Sequence, residues 1–217
     1  LGGKRISIDE DWCNLLDQQL GPVENQDDQE LRAREEKTAA LKELAESRFS
    51  VLIGPAGTGK TTLISILCSQ KNIAADGVVL LAPTGKARVR MEQIAKGSGL
   101  SLKGYTIAQF LGESGRYDYE TGWYRLSEQK VISTSKTVIV DEASMLTEEM
   151  LGALLNALRN VQRLILTGDP RQLPPIGSGR PFVDIVRELA PNHVESIFPR
   201  IGPGYAEFTV RRRQAGD

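Results

Sequence analysis

The stretch GPAGTGKT, Gly54 to Thr61, decides the fold. It follows the apolar run Phe49–Ile53, typical of a buried strand, and precedes a helical pattern over Leu63–Cys68. Its spacing fits G-x-x-x-x-G-K-[ST], in which the N–H groups of a glycine-rich turn and of a helix N-terminus bind phosphate. A glycine-rich turn with an unpaired lysine is the alternative, and the strand before it and the helix after it disfavour that. We therefore expect a nucleotide-binding loop here.

The residue types of this loop have defined roles. Lys60 is expected to reach the β- and γ-phosphates of a nucleotide, and Thr61 to hold Mg²⁺. The residues expected to bind the nucleotide are Gly54, Pro55, Ala56, Gly57, Thr58, Gly59, Lys60, Thr61 and Thr62.

Short apolar runs alternate with helical patterns along the chain. The runs are Phe49–Ile53, Val78–Leu81, Thr137–Val140 and Arg163–Thr167, and further helices are expected over Glu30–Glu46, Gly85–Lys96 and Thr147–Leu158. Apolar strands alternating with helices predict an α/β fold, a parallel sheet with helices on both faces. Such sheets bind ligands at the carboxyl ends of their strands.

Two carboxylates, Asp141 and Glu142, directly follow the run Thr137–Val140. An Asp-Glu pair alone is most often solvated surface charge. At a strand end downstream of a phosphate-binding loop, however, we expect Asp141 to bind Mg²⁺ and Glu142 to activate the attacking water. The pair therefore favours nucleotide hydrolysis over simple binding.

Four segments together resemble the motifs of one enzyme superfamily. GPAGTGKTT, LLAPTGKARVRM, VIVDEASML and LTGDPRQLPPIGSGRPF resemble motifs I, Ia, II and III of superfamily 1 helicases, in the same order. The last two are most similar to the RecD-like, 5′-to-3′ group, and the similarity runs from about Glu36 to Gln214. It implies a RecA-like P-loop NTPase fold and an ATP-dependent helicase or translocase core. Its implied substrate is single-stranded DNA or RNA, with DNA favoured.

The resemblance also implies roles for individual residues. Those implied to be catalytic are Lys60, Glu142, Gln172 and Arg213, and those implied to hold Mg²⁺ are Thr61 and Asp141. In the family the motif III glutamine, here Gln172, senses the γ-phosphate. Arg213 matches the arginine before the motif IV glutamine, with Arg212 as the alternative. Lys37 stands where the RecD-like group has a glutamine that reads adenine, which leaves adenine selectivity open.

The segment after the second apolar run is locally basic. It carries Lys86, Arg88, Arg90, Lys96 and Lys103 against the single acid Glu92. A solvated helix face explains this charge equally well, but the resemblance places motif Ia here. The residues implied to contact nucleic acid are Pro83, Thr84, Lys86, Arg88 and Thr106. Phosphate contacts would supply the sequence-independent affinity that a motor requires.

The chain is expected to divide into a leader, residues 1–30 with a docked helix, and a first RecA-like motor domain, residues 31–217. Within the latter, residues 112–136 alternate in character around a glycine, which predicts a small inserted β-hairpin. In the RecD-like group a hairpin here splits a duplex, whereas packing between its own aromatic rings is the simpler interpretation. A second RecA-like domain of the full-length protein is the implied partner. Without it we expect this chain to bind nucleotide but hydrolyse it slowly.

The composition narrows the class of protein. With a net charge of −1, nucleic-acid binding would depend on local basic patches. Cys13 and Cys68 lie far apart, which disfavours a disulfide or zinc site and suits the cytoplasm. No apolar run approaches the roughly 20 residues of a membrane span, so no membrane partner is expected. An ATP-gated nucleic-acid-binding switch and a P-loop kinase or transferase stay open as alternatives.

Overall fold

The computed structural model describes residues 4–21, 28–97, 102, 104–128, 135–173, 175 and 177–210, with only the backbone of 94, 95 and 97. In these ranges the helices are α1 (Trp12–Leu20), α2 (Asp28–Glu46), α3 (Lys60–Ser69), α4 (Lys71–Ala75), α5 (Gly85–Gly97), α6 (Ile107–Gly112), α7 (Glu148–Ala157) and α8 (Pro181–Leu189). The strands are β1 (Phe49–Ile53), β2 (Val78–Ala82), β3 (Gly104–Thr106), β4 (Thr137–Val140), β5 (Arg163–Gly168), β6 (Arg200–Gly202) and β7 (Tyr205–Glu207). None of these helices is long and apolar enough to cross a membrane.

All seven strands join in one sheet, in the order β3-β2-β4-β5-β1-β7-β6. Its neighbouring strands are parallel except for the antiparallel pair β6–β7. The predicted parallel α/β sheet is therefore confirmed, with a short antiparallel hairpin added at one edge. The sequence analysis missed β3, β6 and β7 because a strand of three residues is too short to show an apolar pattern.

Helices cover both faces of the sheet, as predicted. Side chains alternate along a strand, so Val138 and Val140 of β4 face one layer and Ile139 faces the other. Helices α1, α2, α3 and α5 complete the layer that contains Ile139, and α6, α7 and α8 complete the opposite one. Each fully buried Val or Ile contributes about 1.5–3 kcal/mol. The two layers make the sheet a rigid platform for the loops at its edge.

The leader is tied to helix α2 through one buried acid. Both terminal guanidinium nitrogens of Arg5 donate to the Glu43 carboxylate, at 3.1 and 2.9 Å. Glu43 also accepts from the Ser47 hydroxyl and from the backbone N–H of Gly204. Burial raises the pKa of Glu43, but these hydrogen bonds outweigh burial and hold the pKa below its usual value. Glu43 thus joins the leader, α2 and the β6–β7 turn, while the boundary between residues 30 and 31 stays a prediction.

The inserted segment contains a short hairpin. Tyr117 and Tyr124 form an antiparallel bridge, and their rings lie 4.8 Å apart. The turn between them leaves Tyr119 and Trp123 mostly exposed, at 66% and 71%. The Tyr119 ring also packs edge-on against Tyr117, with ring centroids 5.1 Å apart, so packing between rings involves three of the four aromatic side chains. Residues 129–134 of the predicted 112–136 segment lie outside the described residues.

Candidate nucleotide-binding site

Three neighbouring strands deliver the predicted motifs to one edge of the sheet. Strand β5 lies between β1 and β4 and is parallel to both, with Gly168 opposite Ile53 and Leu166 opposite Val140. Since the carboxyl ends of parallel strands share an edge, the loops that follow them lie side by side. They enclose a cavity of about 220 Å³ lined by Ala56, Gly57, Gly59, Lys60, Thr61, Thr62, Arg90, Asp141, Glu142 and Gln172. All of these were predicted for this site except Arg90.

The backbone of the glycine-rich loop is shaped by close neighbours. A Cβ on Gly54 would lie 3.0 Å from the Cβ of Phe208 and 3.1 Å from its carbonyl oxygen, so a larger residue would displace the loop. Gly59 has a φ of 87°, in the left-handed region that favours glycine. It leads directly into α3, whose first N–H groups have no partner within the helix. The loop is therefore a preformed concave surface suited to an anion.

Lys60 begins α3 and reaches back across the loop. Its Nζ donates to the carbonyl oxygens of Gly54 and Pro55, at 2.6 and 3.0 Å. Burial lowers the pKa of Lys60, and nearby carboxylates, Asp141 first among them, act in the opposite direction. The ammonium group therefore lies between the loop backbone and the acid pair, where it can bind a phosphate.

Lys37 occupies the position expected for base recognition. It is 5% exposed, and its Cε lies 3.7 Å from the point where a Cβ on Gly59 would stand. The residue thus packs against the phosphate loop. An ammonium group only donates hydrogen bonds, whereas an amide both donates and accepts. A lysine at this position therefore offers different hydrogen-bonding chemistry from a glutamine.

The acid pair lies at the end of β4. Asp141 is 6% exposed, and burial raises its pKa to about 6. Glu142 adopts left-handed backbone angles, φ 52° and ψ 39°, which are uncommon for a residue other than glycine. This turn starts the short 3-10 helix Ala143–Met145 and leaves both carboxylates in the cavity wall.

The oxygens in this wall fit Mg²⁺. Magnesium prefers hard oxygen ligands, often one or two carboxylates together with substrate phosphates and water. The Thr61 hydroxyl and the Asp141 carboxylate supply such oxygens. Among the described residues no group of three or more His, Cys, Asp or Glu could hold a metal by itself. A metal at this site would therefore depend on the oxygens of a bound phosphate.

Gln172 is connected to the loop of the acid pair. It lies in a turn after β5, where its N–H donates to the carbonyl oxygen of Asp169 at 3.1 Å. Its side-chain oxygen accepts a hydrogen bond from the Ser144 hydroxyl at 3.2 Å. Ser144 is 7% exposed and lies two residues after Glu142. The sequence analysis did not single out Ser144, because a serine at that spacing has no recognisable signal of its own.

Gly168 allows the loop after β4 and the loop after β5 to approach each other closely. A Cβ there would lie 3.1 Å from the backbone nitrogen of Ser144 and 3.1 Å from the Phe182 ring. We expect Gly168→Ala to destabilise the fold by about 1–3 kcal/mol, because the backbone of Ser144 cannot easily move away from the added methyl group. Gly152 in α7 has nothing within 4 Å of its Cβ position, so Gly152→Ala should instead stabilise by about 0.5–1 kcal/mol. Urea unfolding of both variants tests this, and equal shifts of the same sign would contradict it.

The structure brings three of the predicted nucleic-acid contacts together. Thr106 ends β3 and lies opposite Ala82, the last residue of β2, so Pro83 and Thr84 follow beside it. The Thr84 hydroxyl oxygen accepts the backbone N–H of Ala87, and that of Thr106 accepts the N–H of Gln109. Both threonines therefore cap helices, a structural role that exists whether or not nucleic acid binds.

The two basic residues predicted to contact nucleic acid, Lys86 and Arg88, differ in their surroundings. Arg88 forms an ion pair with Glu92 at 3.0 Å, and Glu92 also accepts the backbone N–H of Gly104. Lys86 is exposed at the start of α5. Arg88 is therefore partly neutralised, and Lys86 is the more accessible positive charge for a phosphate backbone.

Arg213 lies outside the described residues, but the segment that leads to it is anchored. Glu36 of α2, 2% exposed, accepts hydrogen bonds from the backbone N–H and the hydroxyl of Thr209, both at 2.7 Å. The preceding residue, Phe208, contacts Gly54 of the phosphate loop. The chain therefore leaves β7 directly beside the nucleotide cavity. Sequence reasoning did not identify this role for Glu36.

Comparisons with other proteins place the chain in a family. Residues 32–198 match the AAA domain family. An uncharacterised protein of Methanocaldococcus jannaschii is 32% identical over 78% of this chain and 14% of its own length. The RecBCD enzyme subunit RecD of Mycolicibacterium smegmatis is 31% identical over 75% of this chain and 32% of its own length. The ATP-dependent RecD2 DNA helicase of Deinococcus radiodurans is 32% identical over 70% of this chain and 20% of its own length.

The sheet, with its phosphate loop, acid pair and glutamine turn on one edge, defines a RecA-like P-loop domain. The chain belongs to the AAA domain family, and its RecD and RecD2 relatives place it in the RecD-like group of superfamily 1 as a first motor domain. The predicted family is therefore confirmed. The chain spans less than a third of the length of each of these three relatives.

Proposed function

We propose that this chain is the nucleotide-binding part of an ATP-driven helicase or translocase that moves along single-stranded DNA in the 5′-to-3′ direction. The observation that supports it is the convergence of Lys60, Asp141, Glu142 and Gln172 on one cavity at the sheet edge. A protein that only bound nucleotide would not require an acid pair and a phosphate-facing glutamine together with the loop. Direction and the preference for DNA are proposed from the resemblance to the RecD-like group.

In the proposed mechanism each residue acts on a different part of the triphosphate. The glycine-rich loop and Lys60 hold the phosphates, and Thr61 and Asp141 hold Mg²⁺. When bound, the metal neutralises phosphate charge during transfer. Glu142 accepts a proton from the attacking water and orients it. A second RecA-like domain supplies further arginines, and such residues contribute on the order of 10³–10⁵ in rate. The chain alone should therefore bind ATP and hydrolyse it slowly.

The connections around the cavity suggest how hydrolysis is coupled to movement. Gln172 contacts the terminal phosphate and is hydrogen-bonded to Ser144 after the acid pair. Loss of that phosphate would shift the turn that carries Gln172. On the other side, β2 leads from the sheet edge into Pro83 and Thr84, which are proposed to contact the strand. Both sites thus share the rigid edge of one sheet.

Nucleotide binding by the 217-residue chain is the first test. Titration with a fluorescent ATP analogue and Mg²⁺ should give saturable binding that unlabelled ATP displaces and that EDTA weakens. Absence of binding at millimolar nucleotide would refute the proposed function at its first step.

The second test separates the motor from its alternatives. ATP hydrolysis is measured with the chain and with the longest native polypeptide that contains it, each with single-stranded DNA and RNA side by side. The motor predicts stimulation by DNA and displacement of a strand from a 5′-tailed duplex. Stimulation without displacement would indicate an ATP-gated switch. Turnover indifferent to nucleic acid would favour a kinase or transferase.

A further inference from the structure

Arg90 lies in the wall of the nucleotide cavity, although it belongs to the basic helix predicted to contact nucleic acid. It shares that wall with Lys60, Asp141, Glu142 and Gln172. Its side chain is exposed. Among the described residues, no ion pair or hydrogen bond of its guanidinium group is found. Arg90 is thus a cation with hydrogen-bonding capacity to spare, placed beside the acid pair.

The packing of α5 directs Arg90 to this position. The next residue, Met91, is 2% exposed and packs beside Thr61 and Ile64 of α3. Because Met91 is fixed in the core, the adjacent residue Arg90 lies at the first turn of α3, where the phosphate loop ends. Arg88, two residues earlier, is instead engaged with Glu92. The two arginines therefore have different surroundings on one helix.

The positive charge of Arg90 affects the pKa values of two ionisable residues of the site. Its positive charge opposes the increase that burial causes in the pKa of Asp141. The same charge adds to the decrease in the pKa of Lys60, for which burial is the main cause. A triphosphate carries more negative charge than one Mg²⁺ and one lysine neutralise. A guanidinium group matches phosphate oxygens with paired N–H donors and stays charged at any physiological pH.

We propose that Arg90 binds the terminal phosphate of the nucleotide from within this domain. The inference rests on the proposed function, because it assigns a new residue to that same nucleotide site. Arg90 then acts alongside Lys60, and it does so from α5, the helix whose first turn carries Lys86, a residue predicted to contact nucleic acid. It differs from the arginines expected from a second domain, since it needs no partner to reach the cavity.

The test compares ATP with ADP in Arg90→Gln. Dissociation constants are measured for a fluorescent ATP analogue and its ADP counterpart, both with Mg²⁺, in the 217-residue chain. Loss of a charged hydrogen bond to the γ-phosphate should weaken ATP binding roughly ten- to a hundredfold and ADP binding by less than about threefold. Arg90→Lys keeps the charge without the paired donors and should fall between. Arg187→Gln on α8, an arginine 79% exposed, is the matched control and should change neither constant.

Each outcome has a distinct meaning. No nucleotide binding by the unaltered chain would remove the proposed function itself. Normal binding by the unaltered chain with unchanged ATP affinity in Arg90→Gln would overturn the role of Arg90 and leave the proposed function intact. Equal weakening of ATP and ADP would overturn the assignment to the terminal phosphate. Since Arg90 is exposed, its variants should melt at the temperature of the unaltered chain, and circular dichroism checks this.

Discussion

Replacing Lys60 with alanine is expected to weaken nucleotide binding roughly a hundredfold or more, which is the largest effect of any single substitution in the site. The loss of a buried, hydrogen-bonded charge typically costs about 2–5 kcal/mol in binding, and each 1.4 kcal/mol is about tenfold. Lys60 is the ammonium group between the phosphate loop and the acid pair. Both ATP and ADP should lose affinity, because the lysine contacts the β-phosphate as well as the γ-phosphate. Titration with fluorescent nucleotide measures the change.

The control must separate binding from folding. In the nucleotide-free chain Lys60 also donates to the carbonyl oxygens of Gly54 and Pro55, so its removal changes the loop. Lys60→Arg keeps the charge and should bind more tightly than Lys60→Ala while melting at a similar temperature. Lys71→Ala removes an exposed lysine at the start of α4 and should leave affinity unchanged. Retention of full nucleotide affinity by Lys60→Ala would contradict the proposal that this cavity binds the nucleotide.

The phosphate loop and the acid pair could be predicted from sequence because each is a local pattern. Lys60 starts a helix after the loop that follows β1, and Asp141 directly follows the buried strand β4. A buried parallel strand needs a continuous apolar run, which is visible without knowledge of its partners. The meeting of the two motifs required only the general rule that carboxyl ends of parallel strands share an edge.

The order of the strands and the contacts between loops could not be predicted in this way. Strand β5 lies between β1 and β4, and its pairing with β1 joins segments more than a hundred residues apart. The Ser144–Gln172 hydrogen bond depends on that order. The β6–β7 hairpin and the capping of α6 by Thr106 depend on backbone geometry in short elements.

Arg90 shows the limit of charge as a signal. The sequence identified Lys86 to Lys103 only as a locally basic segment, but successive helical residues point about 100° apart. Packing of Met91 in the core decides which cation reaches the cavity, and Arg88 is turned to Glu92 instead. Sequence therefore indicated how much positive charge lies near the site, and the structure shows which of these side chains lines the cavity.

Asp141→Asn is expected to stabilise the ligand-free fold and to abolish the contribution of Mg²⁺ to nucleotide binding. Burial raises the Asp141 pKa from 3.8 to about 6, so the folded state favours the protonated carboxyl group. Stability from this group is therefore greatest below its unfolded pKa and is lost as pH rises through about 6. At pH 7.5 the ionised form costs about 2–3 kcal/mol, by the shift of roughly two units at 1.36 kcal/mol each. Asparagine carries no charge, so that cost disappears.

Two measurements on the same variant should therefore move in opposite directions. In the absence of Mg²⁺ and nucleotide, the melting temperature at pH 7.5 should rise by roughly 4–10 °C, and its dependence on pH between about 4 and 6 should flatten. With Mg²⁺, ATP affinity should fall to the value seen in EDTA, because a neutral amide is a weaker ligand for a hard cation. Asp184→Asn on α8, where the carboxylate is 66% exposed, should change neither property. A lower melting temperature for Asp141→Asn would mean that Asp141 is kept for stability, whereas a higher one with lost Mg²⁺ dependence identifies it as a group that the fold holds ionised for its ligand.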